Sequence, residues 1–97
     1  MPTYVMLVNW TDQGIRNVSE GPKRLETAKA TLKDMGGEVG SVYLTMGLYD
    51  MVVTYDAPDD AVAARFTLML GKVGNVRTTS MKAFPEQAYR QIVASLG

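Results

Sequence analysis

The side chains that carry chemistry in this sequence are carboxylates, tyrosines, hydroxyls and guanidinium groups, because it has neither cysteine nor histidine. Thiolate nucleophiles, disulfides, Cys/His zinc sites, histidine-ligated haem and histidine bases are therefore excluded. No acidic cluster has the spacing of a magnesium or calcium site, and no cofactor is expected. Six residues remain as ligand-contact candidates: Asn9, Trp10, Thr45, Tyr49, Asp50 and Arg77, with Thr11 and Arg24 as further polar groups. Asp50 is the sharpest of them, since a carboxylate within a strand is disfavoured and costly to bury. It must meet solvent, a cation or a backbone donor, so it either caps a turn or contacts a ligand. Tyr49 has a phenol that needs a partner at a sheet edge or lines a cavity. Arg77 either pairs with Asp50 or Asp56 or grips a carboxylate or phosphate. Trp10 is a core or rim aromatic, or a platform on which a ligand stacks. Asn9, at a strand end, satisfies loop backbone or joins the polar contacts.

The element that must position these residues is a hairpin spanning about residues 41–55. Gly47-Leu48 separates two apolar runs rich in Val, Thr, Tyr and Met, as a type II′ turn would. Pairing Met46 with Tyr49 sets Leu44 against Met51 and Val42 against Val53, and these share one face with Tyr55. That face is expected to be the core face. The other carries Thr45 with Asp50, Tyr43 with Val52 and Ser41 with Thr54. A four-residue loop closing on Thr45 and Asp50 keeps the same two faces, whereas a bulge changes them.

Elsewhere the periodicity gives the remaining elements. Residues 3–10 alternate with apolar side chains on both faces, which predicts a strand in the middle of a sheet. Thr11 or Asp12 caps a short turn through Gly14-Ile15. Leu25, Ala28, Leu32 and Met35 recur at helical spacing after Pro22, and Gly36-Gly37 ends that helix. Asp59-Asp60 caps a helix to Val73 with a stripe of Val62, Phe66, Met69, Leu70 and Val73, in which Gly71 suggests a close backbone approach. A fourth strand covers 76–83, and an amphipathic helix covers 85–96.

The order strand, helix, strand, strand, helix, strand predicts a ferredoxin-like α+β sandwich, βαββαβ, with an added C-terminal helix. Its open sheet face would carry Val5, Leu7, Tyr43 and Val52, at about 25 cal/mol per Å² of apolar area left wet. The expected cover is the same face of a second subunit, with the terminal helix folding across as the alternative. Ten basic and ten acidic residues cancel, which argues against a nucleic-acid or anionic-membrane partner held by bulk charge. No signal-like leader or membrane-length apolar run is seen, so a cytoplasmic location is expected.

Three segments, Asn9-Trp10-Thr11-Asp12-Gln13-Gly14-Ile15, Tyr43-Leu44-Thr45-Met46-Gly47-Leu48-Tyr49-Asp50 and Gly74-Asn75-Val76-Arg77-Thr78-Thr79, together resemble the GYD domain family. The motif itself is Gly47, Tyr49 and Asp50. The resemblance runs to about Phe84, dividing the chain into a GYD-like part, 1–84, and a helical extension of the same domain, 85–97. It implies a place near the dimeric α/β-barrel group, assembling as a homodimer or larger, and no single activity. The leading expectation is a homo-oligomeric small-molecule-binding module, with Trp10, Tyr49 and methionines as walls. The alternative is a cofactor-independent monooxygenase- or isomerase-like enzyme using Tyr49 or Asp50 as acid or base. A sheet that stacks single-stranded nucleic acid is a weaker third.

Overall fold

The structure is a computed structural model that describes all residues 1–97. Strand β1 (Thr3–Trp10) leads through a short helix α1 (Asp12–Arg16) and a single 3-10 turn into helix α2 (Gly21–Asp34). Strands β2 (Glu38–Leu44) and β3 (Met51–Asp56) form the hairpin, followed by α3 (Asp60–Val73), β4 (Val76–Ala83) and α4 (Glu86–Ala94). The sheet order is β2-β3-β1-β4 and every pairing is antiparallel, so the expected α+β sandwich is observed. As its two-sided apolar pattern predicts, β1 lies between β3 and β4.

One face of the sheet is built by alternation. Tyr4, Met6 and Val8 of β1 and Val53 and Tyr55 of β3 are buried with Leu32 of α2 and Ala63 and Phe66 of α3. Tyr4 stacks on Tyr55 and Phe66 meets Tyr55 edge-on, each pair at 5.2 Å between ring centroids. Such pairs add about 0.5–1.5 kcal/mol each beyond the area they bury. Leu25, Ala28 and Met35 of the α2 stripe are partly buried around Leu32. The α3 stripe is narrower than its spacing suggests. Phe66, Val62 and Leu70 face the core as expected, but Met69 and Val73 are exposed and Ala63 is buried instead.

The hairpin keeps the register Leu44↔Met51, Tyr43↔Val52 and Val42↔Val53. Its turn is longer than two residues. Both strands stop at Leu44 and Met51, and the loop closes with the Thr45 N–H donating to the Asp50 carbonyl at 2.8 Å, so Met46 and Tyr49 are not a strand pair. Gly47 has φ +149°, a conformation L side chains rarely adopt. A bulge lies between Val39 and Val42, where the Ser41 N–H donates to Thr54 Oγ1 at 2.9 Å, replacing a regular Ser41–Thr54 pair.

Leu44 and Met46, expected on the core face, are exposed, while Val42 and Met51 beside them pack against the core cluster. The opposite sheet face has no cover within the chain. Val5, Leu7 and Val52 are half-buried by their strand neighbours, while Tyr43 and Met81 are exposed. Helix α4 does not fold across that face, and every residue in it but Ala88 is exposed. No helix is long and apolar enough to cross a membrane.

Candidate functional site

The end of the sheet where β1 meets the hairpin gathers most of the predicted polar residues, and hydrogen bonds account for them. The Asp50 backbone N–H donates to the Val8 carbonyl at 2.9 Å, carrying the β1–β3 ladder one residue past Met51. Its carboxylate then accepts the Trp10 N–H at 2.9 Å. A charged acceptor on a backbone donor contributes about 1.5–3 kcal/mol. Asn9 Nδ2 donates to the Leu48 carbonyl at 3.1 Å, and Thr45 Oγ1 donates to the Tyr49 carbonyl at 2.6 Å. These bonds fix the loop's shape and its angle to β1. Tyr49 and Trp10 are half-buried beside them.

The expected ion pair of Arg77 with Asp50 or Asp56 is absent; Asp50 is held by Trp10, and Asp56 accepts from Thr3 Oγ1 at 2.7 Å. Arg77, on the edge strand β4, reaches toward α3, its Nη1 being the nearest atom to the space beside Gly71, 3.8 Å from where a Cβ would stand. Gly71 therefore faces a flexible side chain rather than another backbone. The close approach occurs at Gly14, where a Cβ would fall 1.9 Å from the Asn75 carbonyl oxygen. Around it, the Thr11 N–H donates to that same carbonyl at 3.1 Å, Thr11 Oγ1 donates to the Gly74 carbonyl at 2.6 Å, and Gln13 Nε2 donates to Asn75 Oδ1 at 2.9 Å. Thr11 also caps α1, accepting the Gly14 N–H at 3.1 Å. This latch holds α1 to the start of β4. Arg24 is half-buried on α2, away from the hairpin loop in the sequence of elements.

A second polar cluster, not anticipated from the sequence, lies between α3 and β4. Tyr4 Oη donates to Asp60 Oδ1 at 2.5 Å, and Lys82 Nζ stands 3.2 Å from the same carboxylate. The hydrogen bond to Asp60, reinforced by burial, pushes the Tyr4 phenol up to about 12, and the same bond with Lys82 holds the Asp60 carboxyl below its usual range. Asp60 is exposed, so solvent screens the pair and its contribution is small. Deeper in, Tyr55 is fully buried, its hydroxyl has no hydrogen-bond partner of good geometry, and burial raises its pKa while the nearby Thr67 and Ser80 hydroxyls partly offset that. Tyr4, Tyr55, Thr67, Ser80 and Lys82 line a cleft of about 400 Å³ walled by Ala63, Ala64, Leu68 and Met81. A second cleft of about 430 Å³ along the same edge includes Arg77 with Thr67, Gly71, Lys72 and Thr78. Asn9, Trp10, Thr45, Tyr49 and Asp50 line neither. No group of three or more metal-ligating side chains converges.

The sequence pattern of the GYD domain family matches residues 4–93, from β1 into α4. A Thermus thermophilus protein described as "glutamine synthetase and cystathionine beta-lyase binding protein" is 35% identical over 86 residues, covering 88% of this chain and 90% of that one. Among solved structures, the protein described as FFRP-DM1 superposes with a TM-score of 0.62 at 20% identity, over 87% of this chain and all of that one. A hypothetical Pyrococcus horikoshii protein, PHS023, does so with a TM-score of 0.56 at 22% identity, over 88% and 92%. The two structures speak for the fold alone.

Proposed function

The chain belongs to the GYD domain family, and from that premise we propose that it is a homo-oligomeric module that binds other proteins and does no chemistry itself. One observation carries this reading. Asp50, Asn9 and Thr45 beside the motif are engaged within the chain, by the Trp10 N–H, the Leu48 carbonyl and the Tyr49 carbonyl, so these polar groups shape the loop rather than converge on a reacting atom. What that region offers to solvent is apolar. The relative described as a binding protein supports the same direction, and glutamine synthetase and cystathionine β-lyase from this chain's own source are the first partners to try. The homo-oligomer assigned here is a second copy closing over the open face of Val5, Leu7, Tyr43 and Val52, as in a dimeric α/β barrel.

Binding is tested by titrating each of the two enzymes against the immobilised full-length chain. A saturable complex with either at micromolar concentration or below is expected, about −8 kcal/mol or stronger. Absence of any complex with both would remove this pair as partners, and turnover of a small molecule lost in Asp50→Asn would replace binding with catalysis.

A small-molecule ligand is the second reading, favoured by the unpaired Tyr55 hydroxyl at the floor of the α3–β4 cleft rather than by the hairpin residues. A cleft of this volume suits a compact, mostly apolar molecule with one hydrogen-bonding group. Native mass spectrometry of the purified chain tests it: a retained mass lost in Tyr55→Phe supports the cleft, and a bare chain mass counts against it.

A further inference from the structure

Two apolar surfaces of this chain stand uncovered at diagonally opposite corners of the sheet. At one corner the hairpin loop projects past β1, with Met46 99% and Leu48 83% exposed beside exposed Tyr43 and Leu44. At the other, α4 leaves the end of edge strand β4, where Ala83 pairs with Thr3, and turns Tyr89, Ile92, Val93 and Leu96 to solvent. The two corners differ in both edge and end, since β2 and β4 are the outer strands and the loop lies at the Trp10 end of β1.

Helix α4 has only nine residues, too few to hold helical structure in water without a packed face. The chain's shape tells the same story. Its radius of gyration is 14.6 Å with a long axis of 52 Å, against about 12.5 Å for a compact chain of this length. A sheet face of four strands spans only about 19 by 23 Å, so the loop and α4 project past the rim of a sheet-on-sheet contact and are placed to extend it.

We propose that α4 is an exchanged arm whose apolar face seats on the hairpin loop of a second copy of this chain, once in each direction. A two-fold axis lying along the sheet's other diagonal, through the two remaining corners, interchanges the loop and arm corners and crosses the strands of the stacked sheets near a right angle, a known packing mode. Each arm then meets its mate's loop without refolding of either chain. The charges fit, because no unpaired ion is buried. Glu86 and Arg90 of α4 pair with each other, and the loop's single carboxylate, Asp50, is held by Trp10. The inference rests on the homo-oligomeric half of the proposed function and adds which segments complete the interface.

The native sequence has no cysteine, so paired cysteines report the contact cleanly. Full-length Met46→Cys and Ile92→Cys chains are mixed, allowed to exchange and oxidised gently. A disulfide joining position 46 of one chain to position 92 of the other is expected to exceed the links within each variant. In parallel, the dimer dissociation constants of the wild type and Ile92→Glu are compared, with a weakening of at least ~10-fold expected. A dimeric wild type with no such disulfide, or with an unchanged constant in Ile92→Glu, overturns the arm and leaves the dimer standing. A monomeric wild type overturns both.

Discussion

The two faces of this sheet are made by alternate residues of the same strands and end in opposite conditions. Tyr4, Met6 and Val8 are buried beneath α2 and α3, whereas Val5 and Leu7, one position away, remain half-buried with Tyr43 and Met81 exposed beside them. A face of valine, leucine, methionine and tyrosine without cover in the chain is the one proposed to meet a second copy, since apolar area left wet costs about 25 cal/mol per Å². The helix-covered face holds the monomer together. Its counterpart is the face the proposed dimer would bury. With only 12 of 97 residues buried, the chain has a small core for its length, which gives the second role added weight.

The contrast predicts different responses to truncation on the two sides. Phe66→Ala empties the space against Tyr55 and is expected to destabilise by about 3–5 kcal/mol at any protein concentration, read by denaturant titration. A smaller loss at low than at high concentration would place Phe66 in an interface instead. Gly14→Ala forces a methyl into the Asn75 carbonyl and should cost ~1–3 kcal/mol or more, visible as a lower melting temperature. Retained stability there would mean that the α1–β4 latch gives way easily. Leu7→Ser, on the open face, should leave the far-ultraviolet circular dichroism unchanged and cost ~1–2 kcal/mol, chiefly as weakened self-association. Equal loss in dilute monomer would erase the distinction between the faces.

The smallest expected effect concerns pH and belongs to the covered side. The Tyr4 pKa is raised from 10.0 to about 12, so the neutral phenol is favoured in the folded state. Its contribution is complete below pH 10 and disappears as pH climbs through about 12. Asp60, lowered from 3.8, acts in the other direction: its share is present above that value and fades as pH falls through the folded value below it. Tyr4→Phe should flatten the alkaline limb of stability against pH, although Tyr55, also raised, keeps part of it. An unchanged limb would show that the Tyr4–Asp60 bond contributes nothing in solution.

Local pattern carried much of this fold. The two-sided apolar run of 3–10 placed β1 centrally, and alternation in the hairpin set Leu44 against Met51 for a two- or a four-residue loop alike. Periodicity says which way a side chain points, not what stands opposite. Met69 and Val73 share the α3 stripe with Phe66, yet nothing packs over them there. The site was legible in its residues but not in its bonds. Asp50 was expected to need a backbone donor or a cation, and only the fold reveals the donor as Trp10. The Tyr4–Asp60–Lys82 cluster and the Gly14–Asn75 approach join residues far apart in the chain, with no local signal to announce them.

Light scattering on the wild-type chain across a dilution series bears most directly on the claim that the open face is completed by a second copy. The expected mass at micromolar concentration is at least twice the 10.6 kDa of one chain, falling toward a single chain only on strong dilution or with Leu7→Ser. A mass of one chain throughout the series, unchanged in Leu7→Ser, would contradict it.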